Sequence, residues 1–525
     1  LIIRWNALKS YIVGEVSRAR YRLARDMTDA AAEADEKFFR EEIWPIADEG
    51  SFTILNQLLA SQHRPGIEKR FGGYFLQRLS AGRETMDPVN TSLRIQTSEV
   101  VTSYDKLLAS AEVTVDGKSM TLAVARSLRS SDKPEIRRES YEKTRSWLLD
   151  RRKELSSFFG ELVNARHRMA RNLDHRDFVQ LGYAGMERTD YDADDVARFR
   201  ESILKHVVPV LAKLRERQTR ELGTPTLKPW DSGFVPSLEL PLGISPVEGQ
   251  LDHADRVFEK LSPRLAEHFR KMRREGLIDL ENRRGKRAGA FCTSFPDEGR
   301  AAIFCNSVGQ ASDIGTLTHE MGHAFQAWES QTIELIDLQW PTLDACEIHS
   351  MGMEYLALRH IDEFFPGPDS ESHARRFRTR RWKDAIDLLC YIAVVDEFQH
   401  WVYRNPEATA DGRDLAWDTI WDRYQPGLDF RGVEATKSAR WYEQGHLFHA
   451  PFYYIDYAIA ETGAMQLAMI DAEDPKRAMT SYLELCRIGG TRSVLKIFED
   501  AKMRSPFEPA LIQDLMSYAS KHLGL

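Results

Sequence analysis

Apolar residues recur at three- and four-residue intervals over most of this chain, the pattern of helices that bury one face. Residues 16–44, 140–170, 193–222, 374–401 and 451–469 all carry it, the first being rich in Ala, Arg, Glu and Asp. Each is predicted to be helical. Two stretches break the period. Residues 223–250 hold Pro225, Pro229, Pro236, Pro241 and Pro246 with glycines between them. Prolines so placed cannot sit inside helices, so this segment reads as a long ordered loop or a connection between lobes. Residues 288–295 and 300–305 mix small, aromatic and β-branched side chains around Pro-Asp-Glu-Gly at 296–299. That combination predicts a β-hairpin.

The expected fold is mainly α, with a small β-hairpin or sheet beside the helix predicted at 314–328. A length of 525 residues allows more than one domain. The working division is an N-terminal helical lobe at 1–190 and a second region at 191–525, with lobes free to interleave.

Composition narrows the function only a little. Hydrophobic residues make up 42% and charged residues 29%, ordinary for a globular chain. The net charge of −8 argues against a general affinity for nucleic acid or anionic membranes. Cys292, Cys305, Cys346, Cys390 and Cys486 are odd in number and scattered, which fits a reducing compartment better than a disulfide framework. The longest apolar run, 388–395, falls well short of the ~20 residues that span a bilayer. Residues 1–14 include Arg4 and Lys9 and lack the apolar core of an export signal. A cytoplasmic protein is expected; its oligomeric state stays open.

The chemistry concentrates at 319–323, His-Glu-Met-Gly-His. On a helix, residues four apart share a face, so His319 and His323 can offer two imidazoles to one zinc ion. Glu320 then faces the metal's water and takes its proton. A catalytic zinc needs a third protein ligand and an open position. The metzincin pattern fails, because Gln326 and Glu329 occupy its glycine and histidine positions. Downstream, Glu347 and Glu354 are seven apart and share a helix face. Glu347 is the expected third ligand, with His349 the competing candidate. Glu354 is the expected acceptor for the outer N–H of a ligand histidine. Asp313 suits either that kind of support or a helix N-cap. The arginines at 375, 376, 378, 380 and 381 read as a solvated face.

Residues 316–326, Thr-Leu-Thr-His-Glu-Met-Gly-His-Ala-Phe-Gln, followed by Glu-Ile-His-Ser-Met-Gly-Met-Glu at 347–354, resemble the thimet oligopeptidase and oligoendopeptidase F family of zinc metallopeptidases. Gly-Lys-Arg-Ala-Gly-Ala-Phe at 285–291 and the stretch 445–457, from Gly-His-Leu to Ile-Asp-Tyr, extend the match. The oligoendopeptidase F branch is the nearer one. The resemblance covers roughly 220–510. It implies a two-lobed helical ellipsoid with a deep substrate channel, one catalytic Zn2+ per chain, and hydrolysis of internal bonds in short peptides by a zinc-activated water with Glu320 as general base. It also implies that His446 is the transition-state histidine and Tyr457 a catalytic tyrosine. Tyr453, four residues before Tyr457, is the expected second tyrosine. Residues 447–452 depart from thimet-type members, which carry a glycine-rich loop there. The alternatives are a zinc carboxypeptidase or dipeptidyl carboxypeptidase, or an inactive zinc-stabilised binding protein.

Overall fold

The computed structural model describes every residue except Leu242 and Ile244. It is mainly helical, with one two-stranded and one three-stranded sheet among the described residues. The chain forms two compact units that interleave in sequence. The first is built from Leu1–Ser80, Leu240–Arg378 and Ile459–Pro506. The second is built from Ala81–Glu239, Thr379–Ala458 and Phe507–Leu525.

Several expected helices are divided, each for a local reason. The stretch 16–44 belongs to Ile2–Arg25, Ala30–Phe38 and, after a π turn, Trp44–Leu59. The first break falls where the Asp29 carboxylate accepts from the amides of Ala31 and Ala32, starting a new helix. Residues 193–222 hold Ala193–Ser202 and Val208–Leu222, joined by a π-helical turn at Ile203–Val207. Pro209 lacks an N–H and crowds the carbonyl four residues back, which a widened turn relieves. The stretch 374–401 lies inside the long helix Ser370–Arg404.

The proline-rich segment 223–250 is largely irregular, with a short 3-10 turn at Pro236–Leu238, until helix Val247–Leu261 begins. Leu242 and Ile244 of that segment lie outside the described residues. Its first part is ordered by Gln218, whose amide donates to the carbonyls of Asp231 at 2.9 Å and Phe234 at 2.7 Å.

The hairpin forms as Phe291–Phe295 paired antiparallel with Arg300–Ser307, three residues later than expected at its start. A further strand, Ile278–Glu281, adds in parallel to the other side of Arg300–Ser307. Strand Arg300–Ser307 is therefore central and has no edge left for another strand; the outer strands are Ile278–Glu281 and Phe291–Phe295. Phe295, Ala302 and Phe304 pack against Tyr21 and Ala24 of the first helix. The second unit is centred on buried aromatics, with Phe159 against Trp441 at 4.9 Å and Phe398 against Trp417 at 5.2 Å between ring centroids. No helix among the described residues is long and apolar enough to cross a membrane. All five cysteines are free.

One core contact makes stability depend on pH. His268 is buried, neither ring nitrogen has a hydrogen-bond partner, and its ring stacks on Trp328 at 4.2 Å. Burial, with a smaller push from Lys271, drives its pKa down to about 3. An unfolded histidine titrates near ~6.5. Below that pH the unfolded chain takes up a proton that the fold refuses, so stability falls from pH ~6.5 towards 3, by at most ~1.4 kcal/mol per pH unit. Denaturant unfolding at pH 7 and pH 5 checks this: His268→Phe should flatten the dependence. Equal slopes in variant and parent would remove His268 as the cause.

Candidate metal centre and active site

Helix Ala311–Ser330 carries the His-Glu-Met-Gly-His sequence directly after the central strand. Asp313 fixes its start. One carboxylate oxygen, Oδ2, accepts from the amides of Val308, Gly309 and Gln310 at 2.7–2.9 Å and from the Ser307 hydroxyl at 2.7 Å. Asp313 is thus a cap on the strand-to-helix turn. The neighbouring helix Leu343–Ala357 packs across Gly322 with almost no gap. A Cβ on Gly322 would stand 2.5 Å from the His349 carbonyl oxygen and 2.6 Å from the Ser350 Cα. Only glycine allows this approach, which brings Glu347 to the two histidines.

The ligand atoms of His319, His323 and Glu347 all lie within 4.8 Å of one another. Glu347 Oε2 is 3.3 Å from His319 Nε2 and 3.4 Å from His323 Nε2. Three donors each ~2.0–2.2 Å from one tetrahedral ion stand roughly 3.3–3.5 Å apart, so these residues fit a zinc ion. Glu354 Oε1 is 2.8 Å from His319 Nδ1. A proton held there leaves the Nε2 lone pair for a metal ion. Ser350 donates to Glu347 Oε2 at 2.8 Å and orients the carboxylate.

The electrostatics favour a cation. Burial opposes charge on His319, yet Glu347 and Glu354 together lift its pKa to about 10. Burial also opposes charge on Glu347, yet His319 and His323 hold its carboxyl well below the usual range. Glu320 is buried, and burial raises its pKa above the ordinary carboxylate value. Its Oε2 has no hydrogen-bond partner. A buried carboxylate oxygen left unmet is poised to accept a proton.

His349 takes no place in this set. It is fully enclosed, its nitrogens lie 3.0 Å from the Cys346 carbonyl and 3.2 Å from the Leu485 carbonyl, and burial pushes its pKa down to about 4. Tyr482 donates to the His349 carbonyl at 3.2 Å. Sequence reasoning missed Ser350, although its spacing of three from Glu347 on one helix was a usable signal. It also missed Trp340, whose indole N–H donates to Ser294 Oγ at 3.2 Å on strand Phe291–Phe295 and whose ring lies 6.1 Å from that of His323.

His446, Tyr453 and Tyr457 belong to the second unit. They form one aromatic group: ring centroids are 5.8 Å apart for His446 and Tyr453, 5.9 Å for His446 and Tyr457, and 5.1 Å for the two tyrosines. Tyr454 is nearer to His446, at 4.6 Å. The expected helix from Pro451 starts instead at Tyr454, so Tyr453 precedes it and the two tyrosines do not share a helical face. The reason is Phe452, whose φ of +67° no helix accommodates. Its amide donates to Gln399 Oε1 at 2.6 Å, and its carbonyl accepts from Arg188 at 2.5 Å. Gln444 settles the state of His446. The Tyr391 hydroxyl donates to Gln444 Oε1 at 2.7 Å, so the amide nitrogen is the group that reaches His446 Nδ1, at 3.0 Å. Nδ1 is then the acceptor and Nε2 carries the proton. Burial, helped by His449, lowers the His446 pKa and keeps the ring neutral.

Comparison with known proteins places this architecture. Residues 127–517 match the model of peptidase family M3, and residues 1–86 match the peptidase M3 N-terminal domain. A curated relative, the oligoendopeptidase F homolog of Borreliella burgdorferi, is 22% identical over 360 residues. That match takes in 64% of this chain and 58% of the relative. A solved structure bearing the name oligoendopeptidase F superposes with a TM-score of 0.89 at 33% identity, covering 99% of this chain and 92% of the other. PZ peptidase A, solved with an inhibitor, gives a TM-score of 0.87 at 33% identity over 96% of this chain and 89% of the other. With three-quarters of its length inside the principal family model, and with its fold shared by these structures, the chain belongs to peptidase family M3.

Proposed function

We propose that this chain is a zinc-dependent oligoendopeptidase that hydrolyses internal bonds of short peptides. One observation carries the reading: Glu347 stands 3.3 and 3.4 Å from the two histidine nitrogens, with all three donors within 4.8 Å of one another, and the carboxylate next to the first of them is buried with one oxygen unmet. Membership of family M3 and the likeness to oligoendopeptidase F structures support it.

His319, His323 and Glu347 hold the zinc, and Glu354 keeps His319 in its ligating tautomer. When bound, zinc polarises a peptide carbonyl and acidifies water at the site. Glu320 takes the proton of the attacking water and passes it to the departing amine. The substrate lies extended along the open edge of Phe291–Phe295. Main-chain hydrogen bonds there are indifferent to side-chain identity, so many sequences are accepted. Negative charge grows on the carbonyl oxygen as water attacks, and neutral donors lower that barrier. By the sequence resemblance we assign this role to His446 through its Nε2–H and to Tyr457, with Tyr453 beside them.

Removal of zinc with a chelator should abolish cleavage of a short internally quenched peptide, and added zinc should restore it. Metal analysis that finds no stoichiometric divalent ion in an active preparation would overturn the reading. The same peptide with an amidated C-terminus should be cut at the same internal bond; a strict need for the free carboxylate would favour a carboxypeptidase. Tyr457→Phe removes one hydroxyl and little packing. It should lower kcat by roughly 10²-fold with zinc content unchanged, the loss typical of one oxyanion donor. A near-normal kcat would move that donor elsewhere.

A further inference from the structure

Between His446 and Tyr457 only Phe452 has a left-handed backbone. A bulky side chain adopts such a φ only where its surroundings impose it. Here three sets of contacts do, all within the second unit. The Phe452 ring is fully enclosed, with the rings of Tyr183, His400 and Tyr403 at 5.4, 5.0 and 5.3 Å. Gly182 leaves room for it: a Cβ there would stand 2.4 Å from Phe452 Cδ2. The Phe452 amide donates to Oε1 of Gln399, a buried residue of helix Ser370–Arg404. The Phe452 carbonyl accepts from Arg188 Nη2, and the same nitrogen donates to Asp456 Oδ1 at 2.6 Å. Asp456 is buried in the first turn of helix Tyr454–Glu473, beside Tyr457 in sequence. One buried guanidinium thus ties the left-handed residue to the helix that carries Tyr457.

The other end of the stretch is held in the same way. Arg166, also buried, donates to the Leu447 carbonyl at 3.2 Å, to the Phe448 carbonyl, and to the Tyr403 hydroxyl at 2.9 Å. His446 stands just before this held segment, and Tyr453 just after Phe452.

A turn shaped for stability alone would carry glycine at position 452, which takes a positive φ without steric cost. Glycine would also leave the chain free to swing. Phenylalanine accepts the strain and gains a buried ring that fixes where the next residues lie. Strain held by many contacts beside candidate catalytic groups points to a role in their placement.

We propose that Gln399, Arg188 and Gly182 are positioning residues that, through Phe452, hold Tyr453 and Tyr457 beside His446 before a substrate arrives. This rests on the role proposed above for those tyrosines. The three residues act through Phe452 and are not themselves donors to the substrate.

The test uses the full zinc-loaded chain, with hydrogen exchange and the cleavage of a quenched peptide measured side by side. Gln399→Met removes the acceptor for the Phe452 amide; Gln399→Glu keeps one in either protonation state. In Gln399→Met, exchange across residues 452–457 should quicken by about tenfold, with helix Ala410–Tyr424 unchanged. Its kcat should fall by about the same factor at unchanged KM and zinc content, because the tyrosines act on the transition state. Gln399→Glu should stay within about threefold of the parent. Gly182→Ala displaces the ring without removing a hydrogen-bonding group, and it should lower kcat in the same manner. A role confined to stability would leave kcat per zinc-loaded molecule unchanged. Parent-like kcat in both Gln399→Met and Gly182→Ala would overturn this inference alone, as would an equal loss in Gln399→Met and Gln399→Glu. A parent that cuts no peptide would overturn the functional reading and this inference with it.

Discussion

Glu320→Gln is expected to keep its zinc and lose nearly all turnover. Glutamine matches glutamate in shape, so the helix and the two histidines beside it should stay in place. What disappears is the proton acceptor. General-base catalysis contributes about 10²–10⁴-fold, and the loss in kcat should fall in that range. The environment of Glu320 gives a reason to expect the upper part: burial raises its proton affinity, and Oε2 has no internal hydrogen bond to break before it accepts a proton. The measurement is kcat for a quenched peptide together with zinc content by elemental analysis. If the variant binds stoichiometric zinc and retains most of its turnover, the base is another group.

Glu347→Ala should fail differently, by losing the metal. Two neutral imidazoles would remain where there had been three donors and a negative charge. A carboxylate that supports a ligand from outside typically changes metal affinity by about 10–100-fold, so Glu354→Gln should lose about that much. Glu347→Ala should lose more, because a direct bond to the metal goes. Competition against a fluorescent zinc chelator would rank the two. An alanine variant that holds zinc no worse than Glu354→Gln would remove Glu347 from the ligand set.

The contrast between these variants reflects how much of the centre could be read from the chain. His319, Glu320 and His323 were legible because helical geometry alone brings positions four apart onto one face. Glu347 and Glu354 were legible because their spacing of seven puts them on one face of a second helix. The contacts that finish the site were not. Gly322 carries no signal of its part in the site; its role is seen only in the structure, where an added Cβ would stand 2.5 Å from the His349 carbonyl oxygen. Gln444 and Tyr391 are 53 residues apart, so no local pattern could reveal that they set the His446 tautomer. Strand Ile278–Glu281 went unseen because four residues carry little periodicity and its partner lies beyond an intervening hairpin strand. The central place of Arg300–Ser307 followed from that strand. Tyr453 was misplaced for a simpler reason: a left-handed Phe452 leaves no mark on an apolar pattern.

The interleaving of the two units has a consequence for synthesis. The unit that carries His319, His323 and Glu347 runs from Leu1 and is complete only at Pro506. At about 5–20 residues per second, the ribosome takes roughly 20–85 s to travel from the end of its first segment to the end of its last. During that time helices Ala311–Ser330 and Leu343–Ala357 emerge without their brace. The groups that lock them, the Leu485 carbonyl and the Tyr482 hydroxyl, come more than 130 residues after His349. A nascent chain of this kind holds apolar helix faces open for most of its translation, so slowed elongation should increase its dependence on chaperones. Truncation before residue 482 should yield an insoluble product rather than a smaller enzyme.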